Sequence, residues 1–368
     1  MSEQRQSGGS VPPADIVSVG MVTPVGLSAE ASAAAIAAGR NQARRSCFVN
    51  RASTGQGMHL LDEEYLAPLN PALESESLTD PHRRMLRLGG PALAEALAGC
   101  ETPPPLLLAL PEVPTKRADP IGASFLAQLA VQAGVTVDEQ QSATFRQGGA
   151  GALWALADAL ALLARGNVPC VAVGGVDTFL DLVRLAALDA DGRILGPFTR
   201  LGFLPGEGAG FLLLRAPLKR PPLTQPMARV LGVGKGEEKG HRSSKEPYRG
   251  DGLAAAFEAL FTAVSPEKPR VRRVYAGFNG EEMPAKEWGV ARLRHSEHFA
   301  EDLQMEHPAD CIGDSGAALG AIMLGVAAVE IRQGHLPEPR PIWATDDPGP
   351  CLVWSTSDLE SRAAALLQ

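Results

Sequence analysis

Short apolar runs alternate along this chain with longer Ala/Leu stretches and Gly-rich turns. Ile16-Val17-Ser18-Val19-Gly20, residues 106–110, Val171-Ala172-Val173, residues 211–214, residues 230–233, Val274-Tyr275-Ala276 and Leu352-Val353-Trp354 each read as a buried strand. Strands alternating with helices predict an α/β sandwich. Between Ala216 and Met227 stand Pro217, Pro221, Pro222 and Pro226, and proline continues neither a helix nor a central strand. The expected division is a disordered tail over 1–14, a first half over 15–218, a proline-rich linker over 219–227 and a second half over 228–368.

The halves echo one another. Asp15-Ile16-Val17-Ser18-Val19-Gly20 opens the first much as Ala228-Arg229-Val230-Leu231-Gly232-Val233-Gly234 opens the second. Later a glycine turn at 148–151 leads a helix ending near Gly166, then Pro169-Cys170-Val171-Ala172-Val173. The second half repeats that order with a turn at 313–316, a helix ending near Gly334, and Pro350-Cys351-Leu352-Val353-Trp354. Self-similarity at half the chain length indicates a duplicated fold. The helix beginning at Ala150 carries only Asp158 and Arg165 as charges, so burial on every side is expected, and the helix near Asp314 is of the same kind. Two such helices between sheets make a five-layer arrangement.

Composition narrows the partners. The chain has 368 residues, 45% of them hydrophobic, enough for a large core in two domains or one unit of two halves. With 34 Lys plus Arg against 42 Asp plus Glu, the net charge is -8, which argues against nucleic acid as a partner. The longest stretch without a polar residue, 317–329, is shorter than the roughly 20 residues of a membrane span, so no membrane segment is expected. Residues 1–13 lack the apolar stretch of about 7–15 residues that a secretory signal needs. Cys47, Cys100, Cys170, Cys311 and Cys351 are an odd number, widely spaced and without a Cys-x-x-Cys pair, as expected in a reducing cytoplasm.

Several segments together resemble the β-ketoacyl synthases, the condensing-enzyme branch of the thiolase fold. Met21-Val22-Thr23-Pro24-Val25-Gly26 resembles their opening turn, and Asp80-Pro81-His82-Arg83-Arg84 with Ala94-Glu95-Ala96-Leu97 their first amphipathic helix. Gly166 followed by Val171-Ala172-Val173-Gly174-Gly175-Val176-Asp177 matches the turn and strand after their nucleophile helix, and Asp191-Gly192-Arg193 and Pro197-Phe198 follow the same pattern. The most specific match is Gly202-Phe203-Leu204-Pro205-Gly206-Glu207-Gly208-Ala209-Gly210, which reproduces a family hairpin almost letter for letter. Its glycines enter a strand, not a helix, so it is no dinucleotide fingerprint. Residues 232–240, rich in Gly and Lys, lack the spacing of a phosphate loop and read as a surface turn. The resemblance implies a thiolase-like duplicated αβαβα five-layer sandwich.

It also implies chemistry that this chain lacks. Condensing enzymes attack a thioester with a cysteine at the N-terminus of the buried helix, where amide dipoles lower the thiol pKa, while two histidines stabilise the enolate oxygen. Counting back from Gly166, the nucleophile position is Gly149; a shift of one or two residues puts Gln147 there, as in the chain-length factors. The first histidine position is Gly277 and the second is Asp314. The family's lysine aligns with Ala309, and its C-terminal loop has no counterpart around Ser355-Thr356-Ser357. Neither glycine nor a primary amide attacks a thioester. The emptied pocket is either hollow or refilled by neighbours such as Phe278, Arg146 and Trp154.

The remaining candidates divide between structural and chemical roles. Gln147 reads as an amide capping a helix start, Asp314 as a cap on helix amides, and Cys311 as a buried structural thiol. Glu281-Glu282 and Asp62-Glu63-Glu64 read as solvated. His295 and His298 stand at i, i+3 with Glu297 between them but without an identifiable third metal ligand, so no metal and no cofactor is expected. The reading that follows is a non-catalytic thiolase-fold protein: a dimerising subunit, adaptor or chaperone. Its expected partners are a second copy, another thiolase-fold protein or an effector-type protein, with the edge strand near Ser142 to Gln147 pairing across a twofold axis. The alternative is an acyl-thioester enzyme rebuilt from Asp310, Cys311, Asp314 or Asn279, or a protein that binds acyl carrier or acyl-coenzyme A without turnover.

Overall fold

The computed structural model describes residues 11–51, 53–113, 121–218, 225–264, 270–334 and 349–368. The first half contains β1 (Ala14–Val22), α1 (Ala29–Ala37), β2 (Arg44–Val49), β3 (Gly55–Met58), α2 (Asp80–Ala96), β4 (Leu106–Ala109), α3 (Phe125–Ala133), β5 (Ala143–Phe145), α4 (Gly151–Ala164), β6 (Cys170–Thr178), α5 (Leu182–Ala190) and β7 (Glu207–Arg215). The second contains β8 (Ala228–Glu237), α6 (Asp251–Ala263), β9 (Val271–Ala276), α7 (Glu282–Arg294), β10 (Phe299–Glu306), α8 (Ala309–Ile312), α9 (Leu319–Gln333), β11 (Cys351–Thr356) and β12 (Ser361–Leu367). Residues 1–10 of the expected tail and 219–224 of the expected linker lie outside the described residues, and β1 already begins at Ala14.

Ten strands form one mixed sheet in the order β10-β9-β11-β12-β8-β1-β7-β6-β4-β5, and β2 pairs with β3 in a separate ribbon. Outward from the centre, each half runs first strand, fifth, fourth, second, third. Directions repeat too: the first three strands of each half are mutually antiparallel neighbours, and the last three are parallel. The halves join where Ala14, Asp15 and Ile16 pair with Val230, Arg229 and Ala228. This is the duplication that the sequence announces.

Side chains alternate across each strand, and both faces are covered. Val171 and Val173 of β6 and Leu212 and Leu214 of β7 join the central core with α4 and α9, while Cys170, Ala172, Phe211 and Leu213 join the outer core with α2 and α3. In the second half Leu352 and Trp354 of β11 join α6 and α7. The layers are therefore helix, sheet, helix, sheet, helix. Residues 316–333 are long and apolar enough for a bilayer by composition, against the expectation of no such segment, but this run is the core helix α9, buried from Leu319 through Val329.

Glycine sets how closely the outer helices approach. A Cβ on Gly20 of β1 would meet the Ala92 carbonyl oxygen of α2 at 2.0 Å, and one on Gly234 of β8 would meet the Ala256 carbonyl oxygen of α6 at 1.9 Å. Residues 232–237 are thus a strand clamped under a helix, not a surface turn. The segment around Gly206 is likewise no hairpin. It runs beside residue 314 through a parallel bridge from Pro205 and then enters β7. Cys100 and Cys170, distant in sequence, have their sulfurs 3.7 Å apart as free thiols.

Candidate functional site

The two buried helices start side by side. Gly148 (φ 48°) and Gly316 (φ 53°) open the single 3-10 turns that lead into α4 and α9, in the left-handed region that favours glycine, and the two turns pack together. Beside them lies a cavity of about 660 Å³. Gly149, Gly277 and Asp314, which the sequence resemblance assigns to the nucleophile and the two histidine positions, all line it. Residues 128 and 165 positions from one another in sequence order thus share one wall because of the doubled topology. Gln147 is absent from that lining; it precedes the first 3-10 turn, makes no side-chain cap, and leaves its side-chain oxygen buried without a partner.

The end of β11 fills the space next to both glycines. A Cβ on Gly149 would stand 2.8 Å from Ser355 Oγ and 2.8 Å from the Thr356 carbonyl oxygen. One on Gly277 would stand 3.0 Å from Ser355 Cα and 3.1 Å from its Oγ. Ser355 is 1% exposed. The refilling residues named from sequence are elsewhere: Phe278 packs edge-on to Trp354, Arg146 donates to the Pro111 carbonyl, and Trp154 donates to the Arg362 carbonyl. None of the three lines the cavity.

Asp314 is held on both oxygens. Its Oδ1 accepts the Gly316 N–H at 2.8 Å, which satisfies an amide at the helix entrance, and its Oδ2 accepts from Asn279 Nδ2 at 2.8 Å. Burial pushes this carboxyl up, only partly offset by those two donors. The next amide, Ala317 N–H, donates to Asp177 Oδ2 at 2.9 Å, and Asp177 in turn pairs with Arg184 at 2.7 Å. Arg184 arrives on α5, whose N-cap Asp181 accepts two backbone amides.

Glu112 is the site residue with no sequence signal. Its carboxyl lies 3.1 Å from where a Cβ on Gly148 would be, and it accepts the Asp358 N–H at 3.3 Å. Burial, with the nearby Asp358 charge adding to it, pushes the Glu112 carboxyl up to about 7, and no described cation pairs with it. A carboxyl with a raised folded-state pKa contributes stability below its ordinary value of 4.5 and loses it as pH rises to about 7. Glu112→Gln is therefore expected to match the parent at pH 4 and exceed its stability by about 2–3 kcal/mol at pH 8. Urea unfolding at the two pH values checks this; equal curves at pH 8 would contradict it.

Most of the charged part of the wall is arginine matched to carboxylate. Arg193 binds Glu281 at 2.9 and 2.7 Å and Asp358 at 2.7 and 2.8 Å, and Arg242 reaches Glu281 at 2.9 Å. Glu281 is therefore buried in the site and not in a solvated loop, because consecutive side chains point apart: Glu282 faces out and pairs with Lys286. Asp62 and Glu63 pair with Arg44, Arg84 and Arg87. Behind the wall, Glu207 of the nine-residue motif is wholly buried and accepts from Arg84, Leu61 N–H and Thr178 Oγ1. Of the residues named for a rebuilt enzyme, Asn279 and Asp314 meet in the cavity. Cys311 does not: it is buried among core side chains with its sulfur 3.8 Å from the Ile36 carbonyl, and Asp310 is exposed.

No family model and no curated protein matches the chain. Solved structures do. A ketosynthase from module 6 of the bacillaene synthase of Bacillus subtilis 168 superposes with a TM-score of 0.77 at 16% identity, over 96% of this chain and 72% of that one. The ishigamide ketosynthase/chain length factor gives 0.72 at 17% identity, over 97% and 98% of the two chains. This chain has the ketosynthase fold. A third structure with that fold, a type II acyl-carrier protein in complex with its ketosynthase bound to the hexaketide, gives 0.72 at 15% identity over 97% and 99%. In this ketosynthase fold no imidazole and no thiol lines the cavity among the described residues.

Proposed function

We propose that this chain is a ketosynthase-fold subunit that does not condense acyl chains and acts through a protein partner, as a dimerising subunit, adaptor or chaperone. The observation that carries the reading is the packing at Gly149: Ser355 Oγ and the Thr356 carbonyl oxygen each stand 2.8 Å from where a nucleophile's Cβ would be, so no side chain fits there without a shift of the end of β11. Glycine itself offers no group that could form an acyl-enzyme. The similarity to a ketosynthase/chain length factor and to a ketosynthase held by an acyl-carrier protein supports a second thiolase-fold chain or a carrier as partner. The test is incubation of the purified chain with malonyl- and acyl-loaded carrier protein, followed by intact-mass analysis. The expected result is no acylated chain and no elongated or decarboxylated product; any of these overturns the reading.

A terminal strand supports the partnering reading. β5 is a terminal strand of the sheet, with Ala143 and Thr144 exposed and only β4 beside it, so its outer edge is open to a strand from another chain. Thr144→Asp would bring two like charges together across a twofold axis. Light scattering is expected to show a dimer for the parent and a monomer of unchanged thermal stability for the variant. A parent that is monomeric at all concentrations would remove β5 as a homodimer contact.

One observation favours a second reading. Glu112, with its carboxyl at about 7 beside Gly148, is the kind of group that moves protons near neutral pH, and burial also raises the Asp314 carboxyl that lines the same cavity. On that reading the cavity is a rebuilt acyl-thioester site. Hydrolysis of acyl-coenzyme A that disappears in Glu112→Gln would favour it over the first.

A further inference from the structure

We infer that His295, Glu297 and His298 form a binding site for a divalent transition-metal ion of the zinc class, on the outer layer of the second half. The geometry starts with helix pitch. α7 ends at Arg294, His295 caps the 3-10 turn of residues 296–298, and the His298 N–H donates to the His295 carbonyl at 3.1 Å, a single tight turn that brings the two residues together. One nitrogen or oxygen from each of His295, Glu297 and His298 lies within 4.8 Å of the others. Small side-chain rotations bring such atoms to the spacing of a tetrahedral site.

Both rings are held in place. His295 Nε2 lies 3.0 Å from the Ala254 carbonyl of α6, and a carbonyl only accepts, so Nε2 carries the proton. The lone pair of the neutral ring is then on Nδ1, which faces Glu258 Oε2 at 3.7 Å. A ring N–H anchored to a carbonyl is the arrangement that orients a ligating histidine. The His298 ring stacks on Phe261 with centroids 4.0 Å apart and planes 11° from parallel, and its Nε2 is 3.6 Å from Glu297 Oε1. Two imidazoles with one carboxylate suit zinc and its neighbours, and Glu258 or water completes four-coordination. His295 is nearly buried while Glu297 and Glu258 are exposed, so an ion can enter from solvent. The bound ion would tie α6 to the end of α7, the helix whose first turns carry Met283, Pro284 and Glu287 into the cavity.

The test uses the full, tag-free chain stripped of metal. Titration with zinc chloride is expected to show one saturable equivalent, and cobalt(II) in its place is expected to give the visible absorption of a tetrahedral site. Glu297→Ala removes an exposed ligand and His298→Ala a half-buried one stacked on Phe261, and each is expected to weaken zinc binding by tenfold or more. Circular dichroism of the metal-free variants separates lost binding from lost fold. The absence of saturable binding in the parent, or equal affinity in the parent and a folded His298→Ala, would overturn the site.

Discussion

Replacing Arg362 with methionine is expected to cost about 3–5 kcal/mol, the largest loss for any single change in this wall. Arg362 and Glu287 are the most deeply buried ion pair described, with side chains 2% and 1% exposed. The guanidinium donates to Glu287 at 2.6 and 2.7 Å and, through Nη1, to the carbonyls of Ser357, Leu359 and Ser361 at 3.0, 2.6 and 3.0 Å. It therefore holds the β11–β12 turn that carries Ser355 to Asp358 into the cavity. Methionine keeps the bulk but strands a carboxyl that burial already pushes above its ordinary value, even with its arginine present. Because burial raises that carboxyl above its ordinary value of 4.5, the deficit grows as pH rises above 4.5 and shrinks as pH falls towards it. Urea unfolding at pH 7 and pH 4.5 measures both. The double variant Arg362→Met with Glu287→Leu, which removes both charges, is expected to regain most of the loss. A single-variant loss under about 1 kcal/mol would mean that the pair is not the clamp it looks to be.

Installing a condensing enzyme's cysteine and histidines is expected to fail. Gly149→Cys, alone or with Gly277→His and Asp314→His, should yield no condensing activity and a destabilised protein. The Cβ at 149 would meet a backbone carbonyl at 2.8 Å, and that backbone is fixed in the sheet, since Ser355 and Thr356 pair with Ala363 and Arg362 of β12. Forcing a side chain into such a space costs about 1–3 kcal/mol per site. Thermal unfolding should show a drop of several degrees for Gly149→Cys, of which Ser355→Gly recovers only part because the Thr356 carbonyl stays. The idea is sunk by a triple variant that keeps the parent's melting temperature and is acylated at residue 149. That result would make the cavity an idle ketosynthase site, emptied by substitution without being rebuilt.

Strand β12 shows where local reading stops. Its Ala363-Ala364-Ala365 run has the intrinsic preference of a helix, and nothing in the pattern marks a strand there. In the structure it is central, hydrogen-bonded to β11 on one side and β8 on the other, and small side chains fit between the packed layers. β10 was hidden for another reason. Residues 299–306 alternate with acidic and amide side chains at the far edge of the sheet, where one side needs no apolar run. By contrast α4 and α9 were legible because burial on every face leaves an unmistakable apolar stretch.

The site divides in the same way. Gly149, Gly277 and Asp314 are singled out by the resemblance of contiguous motifs, and the structure brings the three to one cavity. The amino-acid order also determined the duplication and the strand–helix alternation, since these repeat as apolar period and glycine turns. What it left open was the occupant of the vacated volume. Glu112, Arg193 and Glu281 come from three separate segments and Ser355 and Arg362 from a fourth, the β11–β12 hairpin, and only the connections of the doubled sheet bring the four together. Their pairing and the high pKa of Glu112 arise from burial, which is a property of the assembled layers and of no single segment.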